Sequence, residues 1–248
     1  MIDLSVNINK IALIRNSRPG NSPDIVDYAK QCIAFGANGI TVHPRPDQRH
    51  IRAQDCLPLK QAIDVEFNIE GNPMAGFMAS DRDDVEDYPG FMQIIRDVLP
   101  EQATLVPDST QQLTSDHGFD LRQANNTLID CIAEIKSLGL RVSLFMDPDL
   151  EQIALAKQIG ADRIELYTGP YANASNLEQA FIPYCKAAEF ALEQGLGINA
   201  GHDLSLENLG LFAQLPGLLE VSIGHALTID SLKYGLENTL QRYLQLLR

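Results

Sequence analysis

Short strand-like runs alternate with longer amphipathic segments from one end of the chain to the other, and they do so eight times. The strand candidates are LSVNI (4–8), GITVH (39–43), EFNIE (66–70), ATLVP (103–107), RVSLFM (141–146), RIELY (163–167), GINA (197–200) and EVSIG (220–224). Segments with a helical period separate or follow them at 24–36, 55–63, 85–99, 124–139, 148–160, 176–195, 206–215 and 229–247. Eight repeats of strand then helix favour a closed (β/α)8 TIM barrel over an open, doubly wound sheet. The length of 248 residues and 45% hydrophobic content suit a single α/β domain over 1–248.

Punctuation along the chain agrees. Gly36, Gly139, Gly160 and Gly195 follow helical runs, where a left-handed residue ends a helix. Asp149 or Asp147 caps the fifth helix, with Pro148 near its first turn, and Ser205 caps the seventh. Residues 71–102 fit the repeat least: they are acidic and broken by Gly90, so an additional loop or helical insertion is expected there.

With 33 acidic against 19 basic residues the net charge is −14, and this field repels nucleic acid and anionic membrane alike. The four cysteines form no CxxC pair, which argues against a zinc site or disulfide framework. Neither a secretory leader nor a membrane span is legible, so a cytoplasmic location is expected. Against this background ITVHPRPDQRHIR (40–52) gathers His43, Arg45, Arg49, His50 and Arg52. A small anion is the partner such a loop suits.

In a barrel of this kind the chemistry lies at the C-terminal ends of the strands. There the chain offers Asn7, Asn9 and Lys10, then His43 with Arg45 and His50, then Glu70, Glu165, Asn199 with Gly201 and His202, and Gly224 with His225. Taken singly, His43 reads as a hydrogen-bonded core residue and the arginines as solvated loop charges. Glu70 and Glu165 are harder to dismiss, because each sits among apolar strand residues where an unpaired carboxylate is costly. Glu66 and Asp64 read as surface charges. Histidines and tuned carboxylates at one mouth suit repeated proton transfer. NAGH (199–202) and SIGH (222–225) end consecutive strands and supply glycine backbone where barrels bind phosphate. No HxH or HExxH spacing is present, and the neighbouring arginines oppose a cation, so no metal is expected.

Taken together, VNINKIALIRNSR (6–18), GITVHPRPDQRHI (39–51), NIEG (68–71), VSLF (142–145), IELYTGPYA (164–172), NAGHDL (199–204) and IGHA (223–226) resemble the pyridoxine 5′-phosphate synthase family over essentially the whole chain. The resemblance implies a TIM barrel that condenses 1-deoxy-D-xylulose 5-phosphate with 3-amino-2-oxopropyl phosphate, without metal or organic cofactor. It implies that His43 and Glu70 accept protons, that His202 donates one, and that Glu165 stabilises cationic or hydrated intermediates. Asn7 and Arg18, with Gly224 and His225, would hold the aminoketone phosphate, and Arg45, His50 and Thr114 the deoxyxylulose phosphate.

Three departures stand out. The family motif NIDH reads NINK here, so Asn9 and Lys10 stand in the deoxyxylulose phosphate site. Asp203 replaces a glycine beside the proton donor, and the acidic stretch 76–90 is long. The resemblance also implies a homo-oligomer, from dimer to octamer. Loops 45–52 and 115–122 are candidate lids. The competing readings are a barrel aldolase or isomerase acting on another phosphosugar, and a non-catalytic binding or assembly protein.

Overall fold

Alternation along each strand divides its residues between two faces, and the two faces differ in chemistry. In a computed structural model describing residues 1–109, 111–123 and 126–248, the strands are β1 (Asp3–Asn7), β2 (Gly39–Val42), β3 (Glu66–Gly71), β4 (Gln102–Leu105), β5 (Arg141–Met146), β6 (Arg163–Tyr167), β7 (Gly197–Gly201) and β8 (Leu218–Ile223). They pair in chain order, and β8 returns to β1 to close a parallel barrel. Each expected strand lies within two residues of its observed bounds.

One face of each strand is apolar: Leu4, Val6, Ile40, Val42, Phe67, Ile69, Val142, Leu144, Ile164, Leu166, Ile198 and Val221 are all buried. The alternate positions are polar and also buried, among them Ser5, Thr41, Asn68, Gln102, Thr104, Ser143, Asn199 and Ser222. Ser5 Oγ meets Thr41 Oγ1 at 2.7 Å, Asn68 Nδ2 donates to Thr41 Oγ1 at 3.3 Å, and Thr104 Oγ1 donates to Asn68 Oδ1 at 3.0 Å. Asn199 Nδ2 reaches Gln102 Oε1 at 3.4 Å, a bond between β7 and β4 that must cross the lumen. The interior is therefore a hydrogen-bonded polar layer, where branched aliphatic residues usually fill a barrel.

Glu66 corrects an expectation. It is half-buried and paired with Arg141, near Glu220 and Arg163 at the N-terminal mouth. Period two explains this, because residues 66, 68 and 70 share one face of β3.

The helices are α1 (Asn9–Asn16), α2 (Ile25–Ala34), α3 (Ala53–Ala62), α4 (Phe91–Val98), α5 (Asn126–Ser137), α6 (Leu150–Gln158), α7 (Gly169–Ala172), α8 (Leu177–Glu193), α9 (Leu209–Phe212), α10 (His225–Tyr234) and α11 (Leu236–Leu246). Residues 124 and 125 of the helix expected at 124–139 lie outside the described residues. Helix α1 was not expected; it leaves β1 at once and buries Ile11, Ala12 and Arg15 on one face. The expected final helix is two, broken at Gly235, whose φ of 79° suits only glycine well. Asp149 caps α6, accepting from the Glu151 and Gln152 N–H groups at 2.9 and 3.4 Å, and Pro148 lies just ahead of that cap. Ser205 does not cap α9: its hydroxyl accepts from the Glu207 N–H at 3.3 Å in the preceding turn, and the helix starts after Asn208.

The expected helix at 85–99 starts only at Phe91, after Gly90 with φ of 103°. Ahead of it, Met78 and Tyr88 exchange backbone hydrogen bonds of 2.9 Å and close the acidic insertion into a loop anchored by buried Val85 and Tyr88.

Candidate active site

The C-terminal ends of the strands converge on the buried carboxyl of Glu165, the partly buried carboxyl of Glu70 and a buried imidazole. His43, just past β2, has its backbone N–H held by Asn9 Oδ1 at 2.9 Å. Its Nδ1 lies 3.8 Å from Glu70 Oε2 and its Nε2 lies 3.9 Å from Asp108 Oδ2. Burial holds its pKa well below the usual histidine range, and the charges of Arg45, His50 and Arg49 push the same way. The ring is thus held in its neutral form.

Glu70, on β3, takes a 3.3 Å hydrogen bond from Asn7 Nδ2. Desolvation raises its pKa well above the carboxylate range, reinforced by Glu165, Asp108 and Glu220. Glu165, on β6, is pushed up to about 7 by burial, against the opposing effects of Thr104 and His202. A Cβ at Gly201 would overlap the Glu165 carboxylate, so a side chain there would push that carboxylate aside.

The basic loop is not a free patch. Arg45 is 3% exposed and donates to Asp108 Oδ2 at 2.8 Å, Ser109 O at 2.7 Å and Gln112 O at 3.1 Å. Arg49 donates to the carbonyls of Gln112 and Leu113, both at 2.8 Å. Both arginines staple the loop after β2 to the loop after β4. His50 accepts from the Ile51 N–H at 2.9 Å, and burial holds its pKa down to about 3, aided by Arg49, Arg45 and Lys10. Arg52 belongs elsewhere, paired with Asp84 of the insertion at 3.2 Å. Lys10 is half-buried on α1, and its side chain makes no hydrogen bond or ion pair among the described residues.

Across the mouth, His202 Nε2 meets Thr114 Oγ1 at 2.6 Å, and its ring stands edge-on to Tyr167 at 5.3 Å. Asp203 Oδ2 is 3.4 Å from His202 Nδ1. Gly224 packs on Asn7, where an added Cβ would meet the Asn7 carbonyl oxygen at 3.0 Å. It precedes the N-terminus of α10, which has no side-chain cap and begins with exposed His225. Those uncapped N–H groups favour an anion. His117 pairs with Asp116 at 2.6 Å on the exposed loop after β4.

Contacts and fields thus connect every expected site residue except Arg18. That residue is exposed beyond the end of α1, and its side chain makes no hydrogen bond or ion pair among the described residues. Two residues that hold the site were not anticipated. Asp108 anchors Arg45 and accepts from Ser115 Oγ at 2.9 Å. Arg15, buried on α1, grips Asp55 at 2.8 and 2.9 Å and donates to the His50 carbonyl at 3.1 Å. Both partners lie tens of residues away, so neither pairing leaves a local signal; only the helical period over 9–16 could have pointed to Arg15.

A cavity of about 240 Å³ opens beside His43 and Arg45, bounded by Asn72, Phe77 and Asp108. The larger cavity, about 540 Å³, is lined by Arg15, Asp24, Arg52 and Asp84, and not by His43, Glu70, Glu165 or His202. Among the described residues, no group of three or more His, Cys, Asp or Glu is arranged to hold a metal ion.

Comparison with known proteins adds sequence and fold kinship. Pyridoxine 5′-phosphate synthase of Xanthomonas axonopodis pv. citri is 55% identical over 252 residues, covering 99% of this chain and 96% of the relative. The enzyme of the same name from Cytophaga hutchinsonii is 50% identical over 251 residues, covering all of both chains. Among solved structures, 3-hexulose-6-phosphate synthase from Salmonella typhimurium superposes with a TM-score of 0.65 at 16% identity, over 99% of this chain and 98% of that one, a likeness of fold alone. Residues 4–248 match the sequence model of one family, and the chain belongs to it: the pyridoxal phosphate biosynthesis protein PdxJ family.

Proposed function

We propose that the protein is a pyridoxine 5′-phosphate synthase, condensing 1-deoxy-D-xylulose 5-phosphate with 3-amino-2-oxopropyl phosphate to give pyridoxine 5′-phosphate, inorganic phosphate and water. Family membership and relatives of that name at 50 to 55% identity support the reaction. The observation that carries the chemistry is the contact between neutral His43 and the high-pKa carboxyl of Glu70, 3.8 Å apart.

Forming the ring requires an amine to add to a ketone and protons to leave carbon and join departing oxygen. A carboxyl with a raised pKa is a stronger base when ionised, and it can return the proton it takes. Neutral His43 beside Glu70 gives two adjacent acceptors, and a cationic amine arriving at the mouth draws Glu70 toward its ionised form. Glu165, balanced near neutrality, stabilises a cationic or hydrated intermediate from within the barrel. His202 donates a proton to the leaving oxygen from the opposite wall.

Phosphates meet the cations at the rim. Asn7, Arg18, Gly224 and His225 take the aminoketone phosphate, where the open N-terminus of α10 favours an anion. Arg45, His50, Thr114, Asn9 and Lys10 take the deoxyxylulose phosphate. Arg45 serves this role through its Nε, which is buried without a partner while its other nitrogens grip the loop. Local positive charge is needed because the molecule as a whole repels anions.

We also infer one domain over 1–248, a cytoplasmic location and a homo-oligomeric state. Closure of all strands in chain order supports the first, and the second is compatible with the absence of any helix long and apolar enough to cross a membrane among the described residues.

The test is an assay of purified protein with both substrates, following pyridoxine 5′-phosphate formation and phosphate release, alongside Glu70→Gln. The wild type should make product, and the variant should lose about a hundredfold to ten-thousandfold in kcat while keeping its fold. A wild type that binds both phosphates and forms no product defeats the proposal.

A further inference from the structure

The turn after β7 holds two consecutive non-glycine residues at positive φ, His202 at 85° and Asp203 at 59°. Side chains are disfavoured in this region, although Asp tolerates it better than most. The turn is pinned from below, where the Thr168 hydroxyl engages the carbonyls of Gly201 and His202. Tyr167 limits the imidazole on one side.

The strained backbone places the two ring nitrogens in different surroundings. Nε2 faces the mouth and the Thr114 hydroxyl at 2.6 Å. Nδ1 is buried and makes no hydrogen bond, and Asp203 Oδ2 stands 3.4 Å from it. Asn173 Nδ2 contacts the same carboxylate oxygen at 3.4 Å, which steadies Asp203 from α7's end of the neighbouring loop. A carboxylate against one imidazole nitrogen selects the tautomer protonated there and stabilises the imidazolium.

We propose that Asp203 is a positioning residue for His202: its carboxylate holds Nδ1 as the protonated nitrogen and fixes the ring, so that protons enter and leave at Nε2, toward the substrate. This rests on the reading of His202 as the proton donor.

Other charges bear on the pair from every side. Glu165 of β6 acts on the ring from within the barrel. His225, at the start of α10, acts on Asp203. Asp116, on the loop after β4, and Asp147, after β5, act on Tyr167, and His117 is paired with Asp116.

Asp203→Asn and Asp203→Gly both suit positive φ and should fold. Histidine side-chain NMR titration of the wild type and each variant reads the His202 pKa and tautomer, with a His202→Gln sample to assign its signals. The pH profile of kcat is measured in parallel.

In both variants the His202 ring should lose its preference for the Nδ1–H tautomer, most in Asp203→Gly, and kcat should fall by at least about tenfold with KM little changed. An unchanged tautomer in Asp203→Gly overturns the proposal. A tautomer that shifts while kcat stays in place leaves the pairing intact and removes His202 from the donor role instead.

Discussion

The two walls of the mouth are built on opposite plans. On the wall made by β2, β3 and the loop after β4, His43, Arg45 and Asp108 are no more than 7% exposed and tied by ion pairs and carbonyl contacts. On the wall made by the turns after β7 and β8, Asp203 and His225 are exposed, His202 is half-buried, and the backbone bends through positive φ. Desolvation dominates on the first wall, where it keeps His43 neutral and raises the pKa of Glu70. Solvent and local pairs dominate on the second. A dry, rigid setting strengthens the electrostatics of the groups it holds, whereas an open one leaves its groups accessible to what arrives from solvent.

The contrast is broken most directly at Asp108. Asp108→Ala leaves Arg45 buried without its carboxylate, and an orphaned buried charge costs about 3–5 kcal/mol. Urea denaturation should register that loss, and a shift comparable to that of an exposed residue would show that the stapled wall is not rigid after all.

Glu165→Gln sharpens the comparison through pH. The carboxyl has a folded pKa of about 7, raised above its unfolded value. It therefore contributes stability that is complete below the unfolded pKa and is lost as pH rises through 7. The variant should match the wild type near pH 4 and exceed it by about 3 kcal/mol at pH 8, with activity reduced. Equal thermal stability at both pH values would place Glu165 in a wetter setting than its burial indicates.

The smallest effect is expected on the open wall. His225→Ala should change stability by no more than about 0.5 kcal/mol and raise KM for the aminoketone phosphate while leaving kcat largely intact. A collapse of kcat there would show that the open wall takes part in the chemistry as fully as the closed one.

Much of this architecture was legible in the chain. Period-two runs located all eight strands, and their order put His43, Glu70, Glu165, His202 and His225 near one mouth. Position along the strand was readable; partners were not. Arg45 reads as a free phosphate ligand until Asp108, 63 residues later, is brought beside it. Glu66 and Glu70 lie four residues apart on one face of β3, yet one pairs with Arg141 at the lower mouth and the other meets His43 at the upper. Helix α1 escaped notice because its apolar stripe is short and follows directly on a strand.

Sequence alone determined the barrel and the set of side chains at its rim, because strand period and chain order are local properties that a parallel closed sheet converts into place. Only the tertiary structure decided their charge states and alliances. Desolvation and Coulomb forces depend on distances between residues far apart in the chain, and they make one histidine a buried neutral group after β2 and another a carboxylate-facing, half-buried group after β7.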